Sequence, residues 1–336
     1  MSVTRSRLDA QTRDGVRLSI ERLRGSDPHA GAVVLLHGLG ANGRMFLIEG
    51  ASLALYLAEL GFDCFVPDLR GAGHSERPAA GFDLDTYLEQ DLPTILDTAL
   101  RASGQPSVSW VGLSMGGLLM FMYGIEHPDV KVQRLVTVGS ALDYRLGRNV
   151  YRDLLRLRPL AGRLRVLPFD ALARALAPVA GVGPALPHEA MNFNRSNVER
   201  SVCREVMRSA FSPVPIALFD SLATAFSEQG FSRAGGRIVY LPRASALRMP
   251  TLLLAGNRDP QSPPEAVAAT YELLASVRDK RVVFFGKEHG QADDYGHLDL
   301  VLGKRAPTEV WPQIAAFLAA TRDAAPRRAD GRASAE

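Results

Sequence analysis

Residues Val108 to Gly117 read VSWVGLSMGG, a short apolar run that passes directly into a turn of small residues. The run has the length and composition of a buried strand. Inside it, Gly112-Leu113-Ser114-Met115-Gly116 is a Gly-x-Ser-x-Gly pattern, which lifts a serine hydroxyl onto a sharp strand-to-helix turn. Gly112 and Gly116 are structural positions, because the backbone of such a turn passes too near its neighbours for side chains. The pattern is short and built of common residues. It predicts a nucleophile at Ser114 only where the rest of the chain supplies a base, an acid and an oxyanion-binding loop.

Outward from this stretch, the chain alternates strands with helices. Leu8 to Thr12 and Val16 to Leu23 read as a strand pair turning at Asp14-Gly15. AVVLLHGLG, Ala32 to Gly40, is continuously apolar at its start, as expected of a parallel strand covered on both faces. Met45 to Leu60 has helical periodicity, and Phe62 to Pro67 reads as a further strand. A helix over Thr86 to Leu100 precedes the Ser114 strand. A helix over Gly117 to Ile125 follows it and stops at His127-Pro128. Leu135 to Val138, PTLLLAGNRD and Arg281 to Phe285 read as later strands, and Pro307 to Ala320 as a closing amphipathic helix.

Between about Asp143 and Arg248 the pattern breaks into an Arg/Leu/Ala-rich block punctuated by Pro and Gly. Its helical stretches include Tyr151 to Leu157 and Phe169 to Leu176. The expected architecture is an α/β fold: a mostly parallel sheet with helices on both faces, formed by residues 1–142 and 249–320. A mostly helical cap, 143–248, is inserted over the carboxyl ends of the strands, where open parallel sheets bind ligands. Residues 321–336 lack large apolar side chains and read as a disordered tail.

Composition narrows the function classes. The 336 residues are 46% hydrophobic and 22% charged, with a net charge of +3 spread along the chain. No nucleic-acid recognition motif or aromatic-interleaved basic patch is present, so no nucleic-acid partner is expected. Cys64 and Cys203 are too few for a disulfide framework or a structural zinc site. The N-terminal residues contain no apolar signal core, and no run is long enough to span a bilayer. A cytoplasmic protein is expected.

Four elements fall at strand ends. They are the Ser114 turn, the His37-Gly38-Leu39-Gly40 loop, Asp259 in GNRDP and His297 in DYGHLDL. Serine, then acid, then histidine is the chain order of a triad built on a strand–turn–helix nucleophile. Imidazole is the base suited to a serine hydroxyl near neutral pH, and an acid behind it fixes its tautomer. The N–H groups of Met115 and Leu39 are the expected oxyanion donors. Asp143 also follows a strand and competes with Asp259 for the acid position. His289 competes with His297, and a polar loop role is its alternative. His289, Asp293 and Asp294 match no metal-binding motif, and neither metal nor cofactor is expected. His37 reads as a residue that holds backbone, and His74 as part of a structural turn. Arg148, Arg152, Arg156 and Arg158 read as a solvated face, the alternative being a site for an anionic substrate.

With HGLG, PDLRGAGHS, GLSMGG, LLLAGNRD and YGHLDLVLGKRAP in hand, the chain resembles the α/β-hydrolase superfamily, over about Leu8 to Ala320. The last motif is similar to the histidine segment of acid-lipase-like and polyhydroxyalkanoate-synthase-like members, which favours His297 as base and Asp259 as acid. The related synthases carry cysteine at the turn where this chain has Ser114, which favours ester hydrolysis over polymer synthesis. The resemblance thus implies a serine esterase that cleaves small esters with an apolar acyl group through an acyl-enzyme. An acyltransferase or thioesterase using the same triad, and a non-catalytic ligand-binding module, are the alternatives. The sequence leaves the oligomeric state open.

Overall fold

The computed structural model describes residues 2–79, 81–156, 164–183 and 185–320. Eight strands form the central sheet: β1 (Val3–Gln11), β2 (Arg17–Gly25), β3 (Ala32–Leu36), β4 (Asp63–Pro67), β5 (Val108–Leu113), β6 (Val132–Val138) and, after the cap, β11 (Thr251–Gly256) and β12 (Lys280–Phe285). Between β6 and β11 lie the short strands β7 (Val166–Leu167), β8 (Val214–Pro215), β9 (Ser232–Arg233) and β10 (Ile238–Val239). The order across the sheet is β1-β2-β4-β3-β5-β6-β11-β12. β1 and β2 pair antiparallel, as do β2 and β4, and every later pair is parallel.

Both β3 and β5 are buried along their whole length. Their side chains alternate between two apolar layers, with Val34, Leu36 and Trp110 on one face and Val33, Leu35 and Val111 on the other. Continuous rather than alternating hydrophobicity is therefore what this strand position requires.

The helices are α1 (Leu53–Glu59), α2 (Leu84–Thr86), α3 (Leu92–Ser103), α4 (Met115–Glu126), α5 (Val150–Leu155), α6 (Phe169–Leu176), α7 (Pro187–Asn192), α8 (Arg200–Ser209), α9 (Ile216–Ala223), α10 (Pro264–Leu273), α11 (Asp299–Leu302), α12 (Ala306–Glu309) and α13 (Trp311–Ala319). Helices α5 to α9 belong to the cap inserted between β6 and β11. The cap is mostly helical, with the antiparallel pairs β7·β8 and β9·β10 added to it.

Two expected helices are corrected. The stretch from Met45 to Leu60 is a 3-10 turn over Gly43–Phe46, then a bend, then α1. Gly50 stands at φ 76° between the bridged residues Ile48 and Ala51, and the Ser52 side chain caps α1 by accepting the Leu55 N–H. The closing helix is likewise divided into α12 and α13 at Val310, with Pro312 in the first turn of α13, where its missing N–H costs nothing. The expected disordered tail, 321–336, lies outside the described residues. Among those described, no helix is long and apolar enough to cross a membrane.

Candidate active site

Ser114 joins β5 to α4 with φ 52° and ψ −119°, a conformation that L-residues avoid and that costs on the order of 1–3 kcal/mol. Three hydrogen bonds strap it down. Ser114 N–H donates to Val138 O at 2.9 Å, Ser140 Oγ–H to Ser114 O at 2.7 Å, and Trp110 Nε1–H to Gly116 O at 3.0 Å. A Cβ on Gly112 would lie 2.2 Å from Gly117 N, and one on Gly116 would lie 2.2 Å from Leu36 O. The two glycines let the turn close against itself and against β3. Strain held this firmly at one polar residue in a cavity wall is characteristic of a functional position.

The loop after β3 faces this turn. His37 Nε2 accepts the Leu69 N–H at 3.2 Å, so Nδ1 carries the proton and donates to Gly38 O at 2.9 Å. Burial pushes the His37 pKa down and keeps the ring neutral. This side chain fixes backbone between two strand ends. The Leu39 N–H has no protein acceptor among the described residues, and Met115 is the first residue of α4, whose N–H has none within the helix. Both residues border the same cavity as Ser114.

The loops after β11 and β12 bring Asp259 and His297 together: His297 Nδ1 lies 2.7 Å from Asp259 Oδ2, with the side chains 2% and 0% exposed. The other carboxylate oxygen accepts the N–H groups of Gln261 and Ser262, each at 2.8 Å. With its carboxylate partner accepting, Nδ1–H is the donor and Nε2 is left free to take a proton. His297 and Ser114 line one cavity.

The competing residues are engaged elsewhere. Asp143 is buried and holds Arg145 through two side-chain bonds of 2.8 and 2.7 Å, which keep its pKa low. His289 turns to Glu288 and the Phe284 ring. His74 N–H donates to Asp68, whose other oxygen accepts the Gly43 N–H. Asp293 meets Ser196, while Asp294 accepts from Asn257 and Lys287 N–H. Among the described residues, no group of three or more His, Cys, Asp or Glu side chains is placed to hold a metal ion.

The basic stretch is only in part a solvated face. Arg148 and Arg156 are exposed beside Asp153. Arg152 is instead half-buried: it lies over the Phe226 ring at 5.1 Å and donates to Tyr144 O, packing against the cap. Arg158 lies outside the described residues.

Two cavities meet at Ser114. The first, with about 510 Å³ of empty space including its mouth, has an apolar wall of Leu118, Leu155, Phe219, Leu222, Phe226 and Phe231. The second, about 470 Å³, runs past His297, Met191, Phe169 and Phe211. Cap residues missed in the sequence complete them. Tyr151 O–H donates to Gln261 Oε1 at 2.6 Å, and Gln261 Nε2 donates to Met191 O and to Asn192 Oδ1. Asn192 O in turn accepts the Leu298 N–H, next to His297.

The comparisons agree with this architecture. The alpha/beta hydrolase fold family matches residues 31–303. Lipase member N of Mus musculus is 23% identical over 360 residues, covering 92% of this chain and 86% of its own length. The enol-lactonase from Burkholderia xenovorans LB400 superposes with a TM-score of 0.65 at 21% identity, over 93% of this chain and all (100%) of its own. The esterase EaEST from Exiguobacterium antarcticum gives 0.62 at 18%, over 93% and 99%. With its sheet order, its strained serine and a family match that spans most of its length, this chain belongs to the α/β-hydrolase fold family.

Proposed function

We propose that the chain is a carboxylic-ester hydrolase, with Ser114 as nucleophile, His297 as general base and acid, and Asp259 as the group that orients the ring. We take residues 1–142 and 249–320 as the catalytic core and 143–248 as the cap. The observation that carries the reading is the strained Ser114 lining the same cavity as His297, whose Nδ1 is bound to the buried Asp259.

In this mechanism Ser114 Oγ bonds to the acyl carbon while its proton passes to His297 Nε2. The carbonyl oxygen takes the negative charge and is held by the N–H groups of Leu39 and Met115. As the intermediate collapses, the carbon–oxygen bond to the alcohol breaks and the alcohol oxygen receives the proton from Nε2. Water then attacks the acyl-enzyme, giving its proton to Nε2. That proton returns to Ser114 Oγ as the acid departs. Leu118, Phe219, Leu222 and Phe226 suit the apolar acyl group of a small-molecule ester.

Hydrolysis of p-nitrophenyl esters from acetate to palmitate, with Ser114→Ala run alongside, tests this. Turnover lost in the variant supports it, and the chain-length optimum measures the acyl site. No release of p-nitrophenol from any ester by the folded protein would refute it.

A further inference from the structure

Among the described residues, the two cavities that meet at Ser114 share four wall residues: Leu39, Ser114, Tyr151 and Gln261. Leu39 and Ser114 belong to the reacting centre common to both, so the shared wall that remains is the Tyr151 side chain with the Gln261 amide bound to it. Tyr151 is fixed at both ends. Its O–H donates to Gln261 Oε1 at 2.6 Å, and its N–H donates to Asn149 Oδ1 at 2.8 Å. Asn149 Nδ2 returns to Gln261 O, and the ring packs edge-on to Phe219. Gln261 is itself immobile, because its Nε2 is bound to Met191 O and Asn192 Oδ1 and its N–H to Asp259. The divider is thus as well anchored as the triad acid.

The cavities differ chemically. His297 lines the second and not the first. An ester oxygen that leaves with a proton from Nε2 has to depart on the side that His297 faces. In the first cavity, away from Ser114 and the N–H groups of Leu39 and Met115, the polar side chains are already bound within the protein: Tyr144 O–H to Ser262 Oγ, and Asn149, Tyr151 and Gln261 to one another. Among the described residues, nothing beyond that reacting centre is left to reward a polar ligand, and the wall is otherwise aliphatic and aromatic.

We propose that Tyr151, clamped by Gln261, is the specificity-determining wall of this site, separating an acyl chamber under Phe219 and Phe226 from an alcohol chamber beside His297 and Phe211. The substrate class is then an ester whose acid half is an apolar hydrocarbon group and whose alcohol half occupies its own compartment. The proposal rests on the ester-hydrolase reading and adds the orientation of the ester and the residue that enforces it.

Two esters that differ by a single methylene in total composition test it: methyl octanoate, with its chain on the acid, and octyl acetate, with its chain on the alcohol. Ala223 borders the first cavity only and Met191 the second only. In Ala223→Phe the ratio of kcat/KM for octyl acetate to that for methyl octanoate is expected to rise at least about tenfold, and in Met191→Trp to fall at least about tenfold. Adding Tyr151→Ala to Ala223→Phe is expected to bring the ratio back within about threefold of wild type, because the chain regains room once the wall is gone. The two filling variants keep the test decisive even where Tyr151→Ala fails to fold. Ratios that move together, or in the opposite sense, would overturn the chamber assignment while leaving ester hydrolysis intact. A wild-type protein inert towards both esters would overturn the hydrolase reading and the partition with it.

Discussion

His297 Nδ1 meets Asp259 Oδ2 at 2.7 Å with both side chains buried, while Asp143, the other acid at a neighbouring strand end, is spent on Arg145. The pairing turns the histidine into a base only through its proton position. With a carboxylate accepting at Nδ1, the free lone pair is on Nε2. An amide at position 259 that turned its NH2 to the ring would reverse this.

Asp259→Asn should therefore lower kcat by about ten-thousand-fold with the fold retained, the loss produced by the wrong tautomer in triads of this kind. Asp143→Asn should leave kcat within about threefold of wild type. Steady-state kinetics on one p-nitrophenyl ester, with circular dichroism of each variant, separates the two. A large loss in Asp143→Asn with a small one in Asp259→Asn would reassign the acid.

Gly38 touches the nucleophile directly. A Cβ added there would stand 2.9 Å from Ser114 Cβ and 3.3 Å from Leu113 O, neither of which is the free end of a flexible side chain. Gly38→Ala is expected to displace Ser114 and lower kcat by about a hundredfold, with KM less affected. An alanine variant with wild-type kcat would show that the serine tolerates displacement, contrary to its strapped geometry.

His37 offers the opposite expectation. It accepts from Leu69 and donates to Gly38, and removing it orphans the buried Leu69 N–H and leaves Gly38 O with the Ala41 N–H at 3.3 Å. His37→Ala should cost about 1–3 kcal/mol in urea unfolding at pH 7. Its pKa is held down by burial, so it is neutral across the working range, and the acidic limb of the pH–rate profile should keep its position. A shifted limb would give His37 a role in proton transfer.

The Ser114 turn, the His37 loop and the two strand ends were legible because each is a contiguous motif whose local backbone geometry fixes its meaning. The region from Met45 to Leu60 misled because apolar residues on either side of the Gly50 bend reach the same core layer, which imitates one helical stripe. Tyr151, Asn192 and Gln261 had no such signature. A tyrosine, an asparagine and a glutamine separated by tens of residues become a unit only when the cap folds over the sheet. Arg152 misled for a related reason, since its charge advertised solvent while its packing partner, Phe226, lies in a distant segment.

Asp299 brings the final expectation. Two residues beyond His297, it is fully buried, and its Oδ2 accepts the N–H groups of Gly296 and of Asn194 in the cap. Its Oδ1 has no partner among the described residues, and burial, followed by the nearby Asp259 and Asp293, raises its pKa to about 8. Near neutral pH the folded protein therefore holds a proton here that the unfolded chain, with its carboxyl near 3.8, releases. The sign follows by linkage: this proton's contribution to stability is complete below about pH 4 and is lost as pH rises towards 8. Asparagine copies the protonated carboxyl without titrating, so Asp299→Asn should lack this slope. The stability of wild type minus that of Asp299→Asn should fall steadily between about pH 4 and 8 and level off above. Asp299→Ala, which abandons both N–H groups, should be weaker by about 1–3 kcal/mol or more throughout. Urea unfolding at pH 5, 7 and 9 measures all three proteins, and a difference between wild type and Asp299→Asn that stays constant across that range would show that the buried carboxyl does not titrate there.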